Sequence, residues 1–112
     1  MATITYTVTV ASGTNQYGTG NKFYINGSVS PDLNLIEGNT YIFDQSDSSN
    51  ATGGGHILAF STTPNGTHAT PAGVAYTTGV TTTGTPGSSG ANTTIVVATY
   101  APTLYYLSLI HI

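Results

Sequence analysis

The segment ITYTVTV, residues 4–10, alternates strictly between two kinds of side chain. Isoleucine, tyrosine and valine occupy the even positions, and threonine occupies the odd ones. Because successive side chains of a β-strand point to opposite faces, this period of two predicts a strand with one face buried and the other in water. We therefore expect a fold built from such strands.

Further segments have the length and composition of β-strands and lie between turn residues. They are KFYIN (22–26), closed by the turn Asn26-Gly27, then Leu33–Leu35, Thr40–Asp44, HILAFS (56–61), a strand near AYTTGV (75–80), TTIVVA (93–98) and TLYYLSLI (103–110). No segment has apolar residues at helical spacing. Seven or eight short strands in 112 residues predict one all-β domain over residues 1–112, an antiparallel β-sandwich.

Polar stretches between these strands predict loops, because they are dense in glycine, asparagine, serine and threonine. ASGTNQYGTGN (11–21) is expected to be a turn region, and QSDSSNATGGG (45–55) a loop without helix or strand. Residues 62–90 are expected to be mostly loop, apart from the strand near 75–80. A further turn is predicted at Glu37-Gly38-Asn39.

The chain carries very little charge: 4% of its residues are charged, and Lys22 is its single basic residue. Nucleic acid is therefore not an expected partner, because nothing would attract a phosphate backbone. No apolar run approaches the roughly 18 residues of a membrane-spanning helix, and the N-terminus has no secretory signal pattern. A surface of threonine, serine, asparagine and glycine is commoner in extracellular and virion proteins, so we expect one of those locations.

The residues that usually carry catalysis are not arranged for it. The carboxylates are Asp32, Glu37, Asp44 and Asp47. None forms a pair at a spacing typical of acid and base catalysis, and Asp44 and Asp47 are expected to cap turn amides. No Gly-x-Ser-x-Gly motif supports a serine nucleophile, and the absence of cysteine excludes disulfides and thiolate ligands. We therefore expect a protein that is not an enzyme.

The histidines are the remaining candidates for a binding site. They are His56, His68 and His111. His56 follows a glycine run and by parity shares a face with Leu58 and Phe60, the expected core side. A histidine at the rim of a sandwich core can bind a metal, although a lone histidine is more often structural. By parity Ser108 also points to the core side, and it lies near His56 only if their strands are neighbours.

Three segments resemble the cupredoxins, the small copper-binding β-sandwich proteins. EGNTYIFD (37–44) is similar to the cupredoxin strand Gly-x-Thr-Tyr/Val-x-Phe, and GGGHILAFS (53–61) to the segment with the first histidine ligand. PGSSGANTTIVVATYAPTLYY (86–106) resembles the strands that lead to the cysteine ligand. More narrowly, a cupredoxin-like domain of marine bacterial and phage virion or surface proteins is similar to YIFDQSDSSN (41–50), LAFSTTPNGTH (58–68) and YTTGVTTTGTPGSSGA (76–91).

The resemblance implies a Greek-key β-sandwich with a site for one copper ion. It places the first histidine ligand at His56, the cysteine at Ser108 and the second histidine at His111, with the axial methionine expected beyond Ile112. A blue-copper site depends on a soft thiolate, which a serine hydroxyl does not replace. As written, the two histidines would hold copper(II) or zinc only weakly, with water completing the shell. LSLIHI (107–112) resembles translated sequencing-adapter read-through, so we expect the natural domain to differ after Tyr106.

Two functions follow as hypotheses. The first is a binding module whose intact form holds one copper ion for electron transfer or copper handling, together with a redox partner protein. The second is a metal-free structural or adhesion module that assembles on a virion or cell surface. A catalytic oxidase would need a second metal site or a partner domain, and the sequence shows neither.

Overall fold

The computed structural model describes residues 2–15, 18–29, 33, 35–62, 75–99 and 104–108, which contain strands and one 3₁₀ helix. The strands are β1 (Thr3–Asn15), β2 (Gly18–Ile25), β3 (Ser28–Val29), β4 (Thr40–Asp44), β5 (Leu58–Ser61), β6 (Ala75–Tyr76), β7 (Val80–Thr83), β8 (Asn92–Val96) and β9 (Tyr105–Ser108). The 3₁₀ helix, Ser48–Gly54, lies between β4 and β5. Within the described ranges, no helix has the length and apolarity needed to cross a bilayer.

The strands form two sheets, which we call the first and the second sheet. The strand order is β3-β2-β1-β4-β8-β7 in the first sheet and β6-β5-β9 in the second. β1 is divided between two partners, because residues 3–7 pair with β4 and residues 8–15 pair with β2. The β1–β4 pairing is parallel, whereas the other pairings among the described strands are antiparallel. The prediction of an all-β sandwich is confirmed.

β1 begins with the predicted alternation and extends beyond it. Val8 and Val10 are buried, and Ile4 and Tyr6 are half-buried and pack against the core. The strand then continues to Asn15, so the turn predicted over 11–21 is wrong at 11–15 and at 18–21. Backbone pairing with β2 explains the difference, since the hairpin register holds these polar residues in the ladder against their turn preference.

Two predicted turns are present, and one predicted strand is not. Asn26 and Gly27 both have positive φ, 50° and 87°, as a type I′ turn between β2 and β3 requires. The turn before β4 is closed by Asn39 N, which donates to Ile36 O at 3.1 Å, and Gly38 N ties the turn to Val97 O at 2.9 Å. The strand predicted at 33–35 is wrong at its described residues, Leu33 and Leu35, which half bury their side chains against the core without strand pairing.

Aromatic rings connect the two sheets at the centre of the sandwich. Phe43 of β4 meets Phe60 of β5 edge-to-face with ring centroids 5.5 Å apart, and it stacks on Tyr6 of β1 at 5.2 Å. Aromatic pairs of this kind stabilise a core beyond the area that they bury. The buried apolar side chains of the described residues are Val8, Val10, Phe23, Ile25, Tyr41, Phe43, Leu58, Phe60, Ala91, Ile95 and Val97.

The segment 45–55 is the largest departure from the predicted secondary structure. It was expected to be a loop without helix, yet most of it forms the 3₁₀ helix. Asp47 is the N-cap of this helix, and its side chain accepts a hydrogen bond from Ser49 N. Because 3₁₀ helices are short and depend on such local bonds, they leave no apolar periodicity for sequence reasoning to detect.

Candidate functional site

His56 lies between the 3₁₀ helix and β5. Gly55, at φ 101°, turns the chain after the helix, and His56 N donates to Asn50 O at 2.8 Å. The His56 side chain is 2% exposed, and its ring meets that of Phe23 edge-to-face with centroids 6.4 Å apart. Leu58 is buried as well, as is Phe60 two residues later, which confirms the predicted shared face.

Three buried polar side chains, those of Gln45, Asn50 and Thr93, form what we call the buried polar network. Gln45 follows β4 directly and is at its centre. Its Oε1 accepts from Leu58 N at 3.0 Å, and its Nε2 donates to Asn50 Oδ1 at 3.1 Å and to His56 O. One buried amide therefore holds the carbonyl of His56 and connects the end of β4 to β5.

Asn50 and Ser49 attach the 3₁₀ helix to β1. Asn50 Nδ2 donates to Val8 O at 2.8 Å, and Val10 N donates to Ser49 Oγ at 2.9 Å. The pairing of β1 with β4 ends at Thr7, so these two side chains take the place of a neighbouring strand along the next residues of β1. Backbone polar groups that would otherwise lose their partners are satisfied in this way.

Thr93 of β8 provides a second connection between the sheets. Its Oγ1 donates to Leu58 O at 2.8 Å, so side chains hold both backbone polar groups of Leu58. β6 pairs with β5 only at Phe60 and Ser61, which leaves Leu58 beyond the end of that ladder. Gln45 and Thr93 are at most 1% exposed, and polar groups this deeply buried are stable only with such partners.

Asp44 and Asp47 cap backbone amides, as predicted. Ser46 N donates to Asp44 Oδ1 and Ser49 N donates to Asp47 Oδ1, each at 2.9 Å. Hydrogen bonds from the side chain and the backbone of Ser49 lower the pKa of the Asp47 carboxyl below its ordinary value of 3.8. Both carboxylates therefore have a local structural role.

Ser108 lies on the strand next to the one that follows His56. β9 pairs antiparallel with β5, and the register of Cα positions sets Ser108 opposite Leu58, two residues after His56. The condition that the two strands must be neighbours is met. His111, the other predicted ligand, lies outside the described residues, as does His68.

The residues present do not fit a blue-copper centre. Such a centre needs a thiolate beside two imidazoles, and the sequence contains no cysteine. Among the residues that the structure describes, no group of three or more His, Cys, Asp or Glu side chains could hold a metal ion. His56 is the one histidine in this part of the chain.

An open cleft of about 160 Å³ lies on the outer face of the first sheet, and it contains none of the predicted site residues. Its lining residues are Thr5, Ile42, Asp44, Ser46, Gly90, Ala91 and Asn92. The Asp44 carboxylate in this cleft already accepts a bond from Ser46 N. The cleft is therefore not the site that the sequence predicted.

Sequence reasoning missed the three residues of the buried polar network. Gln45 and Asn50 fall in a polar run whose composition indicates a solvated loop, and no pattern marks them as buried. A signal was available for Thr93, because its parity in β8 matches that of Ile95, a core residue. Burial of the two amides depends on distant partners that composition does not reveal.

Comparisons with family models, with curated proteins and with solved structures found no match to this chain. The resemblance to the cupredoxins therefore rests on the sequence segments quoted above and stays a prediction.

Proposed function

We propose that this chain is a cupredoxin-like binding module in which His56 is a retained ligand position and position 108 has lost its ligand. A form with cysteine at position 108 would bind one copper ion for electron transfer or copper handling. The observation that carries this proposal is the β5–β9 register, which sets position 108 opposite Leu58 and two residues from His56. His56 precedes the first paired residue of β5, and if the chain continues in the direction of the strand the two positions are diagonal neighbours, about 7–8 Å apart, a spacing that two ligands of one metal ion can span.

Two residues of the buried polar network support the same proposal, because the Asn50 backbone and the Gln45 side chain hold the main chain on both sides of the His56 side chain. His56 N is bonded to Asn50 O, and His56 O is bonded to Gln45 Nε2. The ring packs edge-to-face on Phe23 in the interior. A ligand whose main chain and ring are both held is suited to a metal centre of fixed geometry.

The test is the substitution Ser108→Cys followed by titration with copper(II). We expect intense visible absorption from thiolate-to-copper charge transfer, and no such band in the unsubstituted protein. The matched control carries His56→Gln together with Ser108→Cys and should lose the band while its circular dichroism stays that of a folded β-protein. A folded Ser108→Cys protein without the band, or a band that survives His56→Gln, would contradict the proposal.

A second candidate is a metal-free structural or adhesion module on a virion or cell surface. The observation that favours it is the missing donor set, since the described residues hold no cluster of metal-ligating side chains. For this candidate His56 is a core residue within a polar network and not a ligand. It predicts that Ser108→Cys stays colourless with copper, and stoichiometric tight copper binding by the unsubstituted protein would argue against it.

A further inference from the structure

The strand β7 ends the first sheet, and only one of its two edges is paired among the described strands. We call the side that faces away from β8 the outer edge of β7. Its sequence is Val80-Thr81-Thr82-Thr83, and the three threonines are exposed. An unpaired edge exposes backbone N–H and C=O groups that can pair with another strand.

Hydrogen-bond parity shows which residue exposes its backbone there. Val96 N donates to Gly79 O at 2.9 Å, so these two residues form a hydrogen-bonded pair. Bonded and non-bonded pairs alternate along an antiparallel ladder, which makes Thr81 a bonded position with β8 and Thr82 a non-bonded one. The N–H and C=O of Thr82 therefore both point to the outer edge.

The strand β7 itself carries none of the sequence features by which edge strands usually prevent edge-to-edge pairing. Natural edges are protected by short strands, lysine, proline or bulges. Of the other strands that end sheets, β3 and β6 have two residues each and β9 has four, as β7 has. β7 contains neither a charged residue nor a proline, and its β-branched side chains favour strand pairing.

We propose that two copies of this chain pair through the outer edges of β7, antiparallel about a two-fold axis at Thr82. Each Thr82 then donates its N–H to the C=O of Thr82 in the other copy, which is the pattern of a hydrogen-bonded antiparallel pair. The described carboxylate in the same row, Asp44, does not oppose the contact, because it lies on β4 with β8 between it and β7. The contact is self-complementary and uses the edge of both copies, so assembly stops at a dimer. This inference does not depend on metal binding.

Sedimentation velocity of the full chain over a range of protein concentrations tests the proposal. We expect a reversible dimer. Thr82→Pro, which removes the outward N–H, and Thr82→Lys, which brings two like charges together, should each raise the dimer dissociation constant at least about tenfold, a change of roughly 1.4 kcal/mol. Thr82→Val keeps the backbone bonds and should keep the dimer, and Thr5→Lys, which places the same charge on an exposed position of β1, should do so as well.

Amide hydrogen exchange provides a readout that misfolding does not imitate. Exchange at the Thr82 amide should slow as the protein concentration rises, whereas exchange at the Thr81 amide, already bonded to β8, should not change. A chain that stays monomeric at every concentration overturns the proposal. It is equally overturned by a dimer that Thr82→Pro and Thr82→Lys both leave intact.

Discussion

Two strand edges in the first sheet both present backbone N–H and C=O groups, but only one of them has hydrogen-bond partners among the described residues. Where β4 ends beside β1, Val8 O and Val10 N are met by the side chains of Asn50 and Ser49 at 2.8 and 2.9 Å. At the outer edge of β7, Thr82 has no such partner among the described residues. Polar side chains of a short 3₁₀ helix can therefore replace a neighbouring strand, and an edge without such partners is open to a second molecule.

The substitution expected to lower the stability of the protein most is Gln45→Leu, in the buried polar network. Leucine has a similar size but no polar atoms, so Leu58 N, Asn50 Oδ1 and His56 O all lose a partner. A buried polar group left without a partner costs about 1–3 kcal/mol, and we expect a total loss of about 3–5 kcal/mol. Urea denaturation followed by circular dichroism measures it.

The control for this substitution is Gln45→Glu, which keeps the shape and the Oε1 acceptor. Burial raises the pKa of the introduced carboxyl, so its protonated form is favoured in the folded state and the variant should regain stability as pH falls. A Gln45→Leu protein within about 1 kcal/mol of the unsubstituted chain would show that the network contributes little.

The outer edge of β7 can be examined by placing proline at each of two adjacent residues of that strand. Thr81→Pro removes an N–H that bonds to β8 and should cost at least about 2–3 kcal/mol. Thr82→Pro removes an N–H that points outward and should cost less than about 1 kcal/mol in the monomer. Thermal unfolding at low protein concentration compares the stabilities of the two variants. Equal losses of stability would contradict the assignment of Thr81 as bonded to β8 and Thr82 as pointing outward.

A smaller effect is expected from Thr93→Val, which keeps the shape of the side chain and removes the hydroxyl that donates to Leu58 O. We expect a loss of about 1–2 kcal/mol. Thr94→Val on the same strand is the matched control, because Thr94 is half-buried and its hydroxyl bonds to Asn92 Oδ1, two residues away on the same strand. That control should stay within about 0.5 kcal/mol, and similar losses for both would remove the special role of Thr93.

The smallest expected effect is the pH dependence contributed by Asp47. The pKa of its carboxyl is lowered in the folded state by hydrogen bonds from Ser49, so its stabilisation is complete above the ordinary value of 3.8 and is lost as pH falls through the folded pKa. Asp47→Asn keeps a good N-cap but does not titrate. Below that pH the stability difference between the two proteins should shrink, and a constant difference at all pH values would contradict the assignment.

Particular residues show how far sequence reasoning reached. The alternation in 4–10 and the turn at Asn26-Gly27 predicted real elements, as did the aromatic face of Thr40–Asp44. The extension of β1 to Asn15 was missed because a hairpin partner, not local preference, keeps that segment in a strand. At the candidate site, the sequence placed His56 on the core side. It did not indicate that Gln45 and Asn50 are buried and bond to the His56 backbone.

The sequence by itself determined the class of this fold, because alternation and turn chemistry depend on near neighbours in the chain. The tertiary structure alone decided which backbone edges are satisfied and which are open. Asn50 meets Val8 across 42 residues, and Thr93 meets Leu58 across 35. Such bonds exist only after the sheets have packed, since burial makes an unpaired polar group costly and brings distant partners within reach.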